Sequence, residues 1–238
     1  MTQAAPLSAA LQATGAKVVE LPCLEIVPPT DIDAIRHTLA QGRLYHYIIF
    51  ISRHAVDGIA HYWHPQTAGI IAVGPSTQRA ITALGANAVI PHDYSSAGIL
   101  AMPTMQQVKG KDILIVCSDQ INPLLYNTLI DRGASVSTLT SYRVTTPQIN
   151  IKQSLQHCQH QQVNLIISTS KASLNQLVQW FQPLDAHWLF RLPIVTISSS
   201  LAQAAANHGW PTDRIIQSRN ATTKAIVETI RTCYPNNQ

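Results

Sequence analysis

The sequence predicts an α/β protein with parallel sheets, laid out as two units of one plan. Three observations predict it: short apolar runs without clean alternation, helix-period segments between them, and an internal repeat. The runs are VVEL, YIIFIS, GIIAVG, ILIVCS, NLIISTS, PIVTISS and RIIQS. Continuous apolar runs of this length suit strands covered on both faces, the condition of a parallel sheet flanked by helices. The intervening PSTQRAITALG and SSLAQAAANHG carry apolar residues at i, i+3 and i+4 and end on Gly, the residue that most easily takes the left-handed conformation closing a helix.

In chain order, VVEL is expected as a strand that runs into the extended VPPTD, where two prolines stop any helix or central strand. YIIFIS follows as a strand whose serine opens the helix RHAV. GIIAVG is a strand before the helix PSTQRAITALG, and ILIVCS is a further strand. RGASVSTLTSYRVTTP is a strand that leaves through a second proline-bearing segment, VTTPQ. NLIISTS, PIVTISS and RIIQS are strands alternating with helices.

The repeat fixes the organisation. TGAKVVELPCLEIVPP, from Thr14, lies over RGASVSTLTSYRVTTP, from Arg132, so that Gly15 maps to Gly133. Ser52 maps to Ser170 at the same offset. VGPSTQRAITALG maps onto ISSSLAQAAANHG at an offset a few residues longer, with Gly85 over Gly209, which one insertion explains. Each Gly-Ala-x-Val strand ends in a proline-bearing crossover. The first unit is therefore split, residues 1–27 plus 146–238, and the second is continuous, residues 28–145. Two α/β domains joined by two crossover strands are expected to bind a ligand in the cleft between them.

Composition narrows the ligand. The chain has 238 residues, 46% apolar and only 12% charged, so Gln, Asn, Ser and Thr must carry much of the surface. A net charge of +4 and a pI near 9.0 permit an anionic partner, but Lys and Arg form no cluster of the kind nucleic-acid binding leaves. No apolar run reaches the roughly 20 residues of a membrane span, and MTQAAPLSAALQ lacks the basic start and long apolar stretch of a signal peptide; a cytoplasmic protein is expected. Cys23, Cys117, Cys158 and Cys233 are scattered without a CxxC pair, which favours free thiols over disulfides or zinc. His61 with His64, or His157 with His160, have a spacing that could place both on one helix face, but no third ligand accompanies either pair and surface histidines are the better reading.

The strand ends hold the candidate site, because in open parallel sheets the carboxyl ends face the binding crevice. They are Ser52, Gly74, Ser118, Ser170, Ser198 with Ser199 and Ser200, and Ser218. Any one of these serines is accounted for as an N-cap of the next helix. Gathered at one edge, hydroxyls and helix N-termini with few fixed charges also suit a ligand bearing several carboxylates or phosphates. Walker and Gly-rich dinucleotide loops are absent, as are Ser-His-Asp and paired-carboxylate patterns. Tyr142, at the end of the Gly-Ala-x-Val strand, is either a weak acid facing the cleft or an amphipathic wall of the hinge.

IIFISRHAV, IIAVGPSTQRAITALGANAVIP, the strand ending in SYRV, LIISTSKASLNQLV and ISSSLAQAAANHG together resemble the uroporphyrinogen-III synthase (HemD-like) family, over nearly the whole chain and in matching order and spacing. The resemblance implies two flavodoxin-like domains with an active-site cleft between them. It implies a cofactor-free, monomeric lyase that cyclises hydroxymethylbilane to uroporphyrinogen III, inverting the terminal pyrrole ring with loss of water. It further implies Tyr142 as hydrogen-bond donor to the leaving hydroxyl. Ser52, Ser170, Ser199 and Ser200 would bind carboxylates of the substrate, which has eight; Gly74 and Ser76 would bring backbone amides close to it, Arg53 and Lys171 would also bind substrate, and no metal is involved.

Two departures from the family pattern stand out. By the repeat, the partner of ILIVC would fall before Met1, so the chain is expected to begin in the loop after its own first strand, with two interior strands unpaired and the family's early arginine missing. The loop CSDQINPLL places Asp119 where a basic or glycine residue is usual, and an acid there is expected to repel carboxylates. These departures keep a non-catalytic family member open as an alternative, and a two-lobed anion-binding protein as a remoter one.

Overall fold

The computed structural model describes residues 4–40, 44–64 and 68–234. Its elements run α1 (Ala5–Gln12), β1 (Glu25–Val27), α2 (Ile32–Ala40), β2 (Tyr47–Phe50), α3 (Arg53–Asp57), β3 (Gly69–Ala72), α4 (Pro75–Ala83), α5 (Ser96–Ala101), α6 (Pro103–Gln106), β4 (Asp112–Ser118), α7 (Pro123–Asp131) and β5 (Ser135–Thr145). They continue with α8 (Ile151–His160), β6 (Ile166–Ser168), α9 (Lys171–Arg191), β7 (Ile194–Thr196), α10 (Ser199–His208), β8 (Ile215–Gln217) and α11 (Thr223–Cys233). The chain divides into a continuous unit, Ile26–Thr145, and a split unit, Met1–Glu25 with Thr146–Gln238.

The continuous unit holds a five-stranded sheet in the order β1-β5-β4-β2-β3, and the pairs β2–β3, β2–β4 and β4–β5 are parallel. Its apolar runs work because each strand is covered twice. Ile48, Phe50, Leu114 and Val116 point to one face and join Val56 and Ile81 from the helices and Ile59 just beyond α3. Ile49, Ile113, Ile115 and Cys117 point to the other and join Ile99, Met105, Leu125 and Leu129. This is the period-two pleat of a strand with a core on each side. At the end of the sheet β1 neighbours β5, and Arg143 Nε donates to the Pro28 carbonyl oxygen at 3.3 Å, so the two proline-bearing crossovers run side by side.

The split unit holds a three-stranded parallel sheet, β6-β7-β8. Here the structure corrects one expectation: VVEL forms no strand, and residues 16–24 carry no regular structure. The physical reason lies in the ladder. The repeat partner of VVEL, within β5, bonds to β4, whereas among the described residues no strand stands in that place beside β6. Val19, Leu21 and Cys23 still pack against the core of the unit, so the segment keeps its burial but loses its pairing. That core sets Trp180, Phe181, Trp188 and Trp210 beside Leu174, Leu189 and Ile194. Phe181 and Trp188 meet edge to face at 6.1 Å, and Phe190 and Trp210 at 4.7 Å, a geometry worth about 0.5–1.5 kcal/mol per pair beyond area burial.

The long helix α9 bends where Pro183 removes a backbone donor and Asp185 leaves the helical region (φ −159°, ψ 78°). Asp185 then caps the next turn, accepting from the Trp188 N–H at 2.8 Å. The glycines expected to close helices do so with positive φ, +83° at Gly85 and +115° at Gly209.

Candidate active site

The continuous unit concentrates its polar features where β2, β4 and β5 end. In β4–β5 the register runs in step to Cys117–Thr140 and then slips, so that Ser118 pairs with Tyr142 and Ser141 is the extra residue. Such a bulge bends a strand and re-aims the side chain that follows it. Three contacts hold it. The Ser141 hydroxyl donates to the Cys117 carbonyl at 3.2 Å, and the Asp119 N–H donates to the Tyr142 carbonyl at 3.3 Å. The Val144 N–H donates to Asp119 Oδ1 at 3.4 Å. Asp119, expected as a repulsive charge, thus has a structural partner on the strand that carries Tyr142.

Helix α3 supplies the other side. Gly58 closes it and lies so near the bulge that a Cβ there would overlap the Ser141 carbonyl oxygen, so only glycine lets helix and strand approach this closely. At the opposite end Ser52 caps the helix, accepting from the Ala55 N–H at 3.0 Å. Its Oγ is also hydrogen-bonded to Tyr142 Oη at 3.0 Å. The Tyr142 ring is buried and packs against the His54 imidazole at 5.7 Å. Residues ninety positions apart in sequence are therefore brought into direct contact.

Beside this pair, α3 and α4 form a groove of about 370 Å³ lined by Arg53, Val56, Asp57, Ala60, Ser76, Arg79 and Leu84 among others. Arg53 and Ser76, both expected to bind substrate, line it together. Arg53 Nε lies 3.4 Å from Asp57 Oδ2 in an exposed pair, an interaction worth well under about 1 kcal/mol and easily given up to a ligand. Arg79 was not singled out from the sequence; its position one turn after Ser76, on the same face of α4, is the signal that would have found it. Gly74 precedes α4 in an extended conformation and packs beneath Tyr94, whose side chain a Cβ would meet at 3.3 Å.

In the split unit, Ser170 caps α9, accepting from the Ser173 N–H at 3.0 Å and donating to Ser173 Oγ at 2.8 Å. Lys171 follows it, exposed. Ser198 is the cap of α10, with the Leu201 N–H donating to it at 3.3 Å, while Ser199 and Ser200 are exposed in the first turn. Since β6 and β7 are neighbours, Ser170, Lys171, Ser199 and Ser200 share one end of one sheet.

Other chemistry finds little support. Burial pushes the Cys23 thiol up to about 11, and burial followed by the nearby Asp119 does the same for Cys117, so neither is a ready nucleophile. Cys23, Cys117, Cys158 and Cys233 are all free. His61 and His64 lie beyond α3 rather than on a helix, and among the described residues no group of three or more His, Cys, Asp or Glu could hold a metal. No described helix is long and apolar enough to cross a membrane.

A family model described as uroporphyrinogen-III synthase HemD matches residues 5–228. The chain belongs to the uroporphyrinogen-III synthase family. It is 25% identical over 233 residues to the uroporphyrinogen-III synthase of Escherichia coli (strain K12), with 93% of each chain covered. It is 26% identical to that of Synechococcus elongatus, covering 83% of this chain and 78% of that one. Among solved structures, a mutant uroporphyrinogen III synthase from the extremely thermophilic bacterium Thermus thermophilus matches with a TM-score of 0.65 at 16% identity, covering 97% of this chain and 94% of that one. The uroporphyrinogen-III synthetase of Helicobacter pylori matches with a TM-score of 0.63 at 12% identity, covering 92% and 96%. The α/β fold with parallel sheets is thus a uroporphyrinogen-III synthase fold.

Proposed function

We infer that this chain is a uroporphyrinogen-III synthase, a lyase that closes linear hydroxymethylbilane into uroporphyrinogen III with inversion of the terminal pyrrole ring and loss of water. The family match from residue 5 to residue 228 carries this conclusion. We read the two units as the two flavodoxin-like domains of the family, and the protein as a cytoplasmic monomer.

In this reading Tyr142 donates its hydroxyl hydrogen to the leaving hydroxyl of the substrate. The electron-rich pyrrole expels that group as the carbon–oxygen bond breaks, and it departs as water with the phenol proton. To invert, the last ring attacks the resulting cation through its already substituted alpha carbon. The bond from that carbon to the neighbouring bridge carbon then breaks and re-forms at the ring's free alpha carbon, whose lost proton restores the phenol. Little acid strength is required, so the larger task is holding the chain folded for attack at the inverted position. Arg53, Ser76 and Arg79 take carboxylates in the α3–α4 groove, with the Gly74 backbone close by. Ser170, Lys171, Ser199 and Ser200 do the same at the ends of β6 and β7. The bond from the Val144 N–H to Asp119 bears on one of the two departures, since it gives that acid a partner on the strand that holds Tyr142.

The test is a product analysis. Freshly prepared hydroxymethylbilane cyclises by itself to the type I isomer without inversion. Type III product in proportion to added protein is the expected result; type I product alone at every protein concentration would refute the assignment.

A further inference from the structure

The serine at the end of β2 was expected to bind a carboxylate, but its bonds describe a different task. A hydroxyl has one hydrogen to give and two lone pairs to receive. One lone pair of Ser52 Oγ takes the Ala55 N–H at 3.0 Å, and Tyr142 Oη stands 3.0 Å away on another side. A substrate carboxylate would need the same single hydrogen that Tyr142 Oη can use. The repeat partner makes the contrast plain: Ser170 gives its hydrogen to Ser173 within its own helix rather than to a phenol.

We propose that Ser52 is a positioning residue for Tyr142, linking the Ala55 N–H, the serine hydroxyl and the phenol into one hydrogen-bond relay. This rests on the reading that Tyr142 serves the leaving hydroxyl. When the substrate oxygen arrives as an acceptor, Tyr142 turns its O–H toward it and Ser52 supplies its own hydrogen to Oη. Negative charge developing on Oη is then met by a donor that is itself polarised by the Ala55 N–H, the cooperative strengthening expected of such chains. The bulge at Ser141 and the close approach of Gly58 fix the strand on which Oη is carried, so the relay has a rigid frame on both sides.

Kinetics on the full chain separate the relay from carboxylate binding. Ser52→Ala should lower kcat for the type III isomer about tenfold with KM within about twofold of the parent, and Ser52→Thr, which keeps the hydroxyl, should recover most of that loss. Because Ser52 also caps α3, Ser52→Gly is the control: glycine is nearly as good a cap as serine but has no hydroxyl, so its kcat should fall like that of the alanine variant. In a Tyr142→Phe background, Ser52→Ala should cost nothing further. A raised KM with unchanged kcat in Ser52→Ala would overturn the relay and restore the carboxylate role. A full additional loss in the double variant would overturn it too, because Ser52 would then act without Tyr142. Unchanged kcat in Tyr142→Phe alone would instead remove the underlying role of the tyrosine.

Discussion

In the continuous unit β2 has a strand on each side, β3 and β4, and its Ile48, Ile49 and Phe50 are at most 2% exposed. In the split unit its repeat partner β6 has, among the described residues, one strand neighbour, β7, and Ile166 and Ile167 are only half-buried. The residues are nearly the same; the ladder around them is not. A strand's burial is conferred by its neighbours, and a parallel strand without a second neighbour keeps its apolar composition while losing much of the stability that composition can supply. The split unit covers its narrower sheet with α9, whose Trp180, Phe181 and Trp188 sit in its core, as Phe50 and Trp63 sit in that of the continuous unit.

The sharpest way to break this comparison is to truncate matched positions. Ile49→Ala, in a strand paired on both sides and fully buried, should cost about 3–4 kcal/mol in urea unfolding followed by far-ultraviolet circular dichroism. Ile167→Ala in β6 should cost about 1–2 kcal/mol, because the half-buried site removes less area from water. Equal losses at the two sites would end the argument that sheet neighbours set the difference.

Gly58 and its repeat partner Gln176 sharpen the comparison. Gly58→Ala would press a methyl group on the Ser141 carbonyl and should cost about 2 kcal/mol, with loss of type III product as the strand beneath Tyr142 shifts. Gln176 faces no bulge and instead accepts from the Thr146 hydroxyl at an exposed site, so Gln176→Ala should change stability by no more than about 0.5 kcal/mol and leave the fold intact. Calorimetry of the two variants, with the product assay for the first, checks this.

Helix caps should be the feature the two units share. Ser170→Ala is expected to cost about 1 kcal/mol through lost capping of α9, read as a lower urea midpoint.

A pH dependence is carried by both units, through Cys23 in one and Cys117 in the other. Their folded pKa values are raised from 9.0 to about 11, so the neutral thiol is the form the fold favours. That stability is fully present below pH 9 and is lost as pH rises through about 11. Urea midpoints should fall over that window, and Cys117→Ala should flatten part of the fall.

Local chemistry made much of this legible. The parallel strands were readable as unbroken apolar runs, the caps at Ser52, Ser170 and Ser198 as serines at strand ends, and the helix stops at Gly85 and Gly209 as glycines after periodic segments. The fate of VVEL was not readable, because pairing depends on what stands beside a strand and not on the strand itself. The bulge at Ser141 was hidden for the same reason: a register slip is a property of two strands, and nothing in SYRV announces it. Asp119 read as a misplaced charge because its partner, the Val144 N–H, is twenty-five residues away and carries no side-chain signal. Arg79 was legible from helical spacing alone, had the face of α4 been followed one turn beyond Ser76.

The split itself has a consequence for how the molecule comes into being. Helix α1, near the start of the chain, packs against α11, near its end, while everything from Ile26 to Thr145 is contiguous. On the ribosome the contiguous stretch can complete its sheet as soon as it emerges, at the modest loop-closing cost of neighbouring segments. The residues of α1 must wait, their apolar side chains uncovered, until α11 is made. The order of synthesis and the order of assembly are therefore inverted in this protein, and the interval between them is when a chaperone would find most to hold.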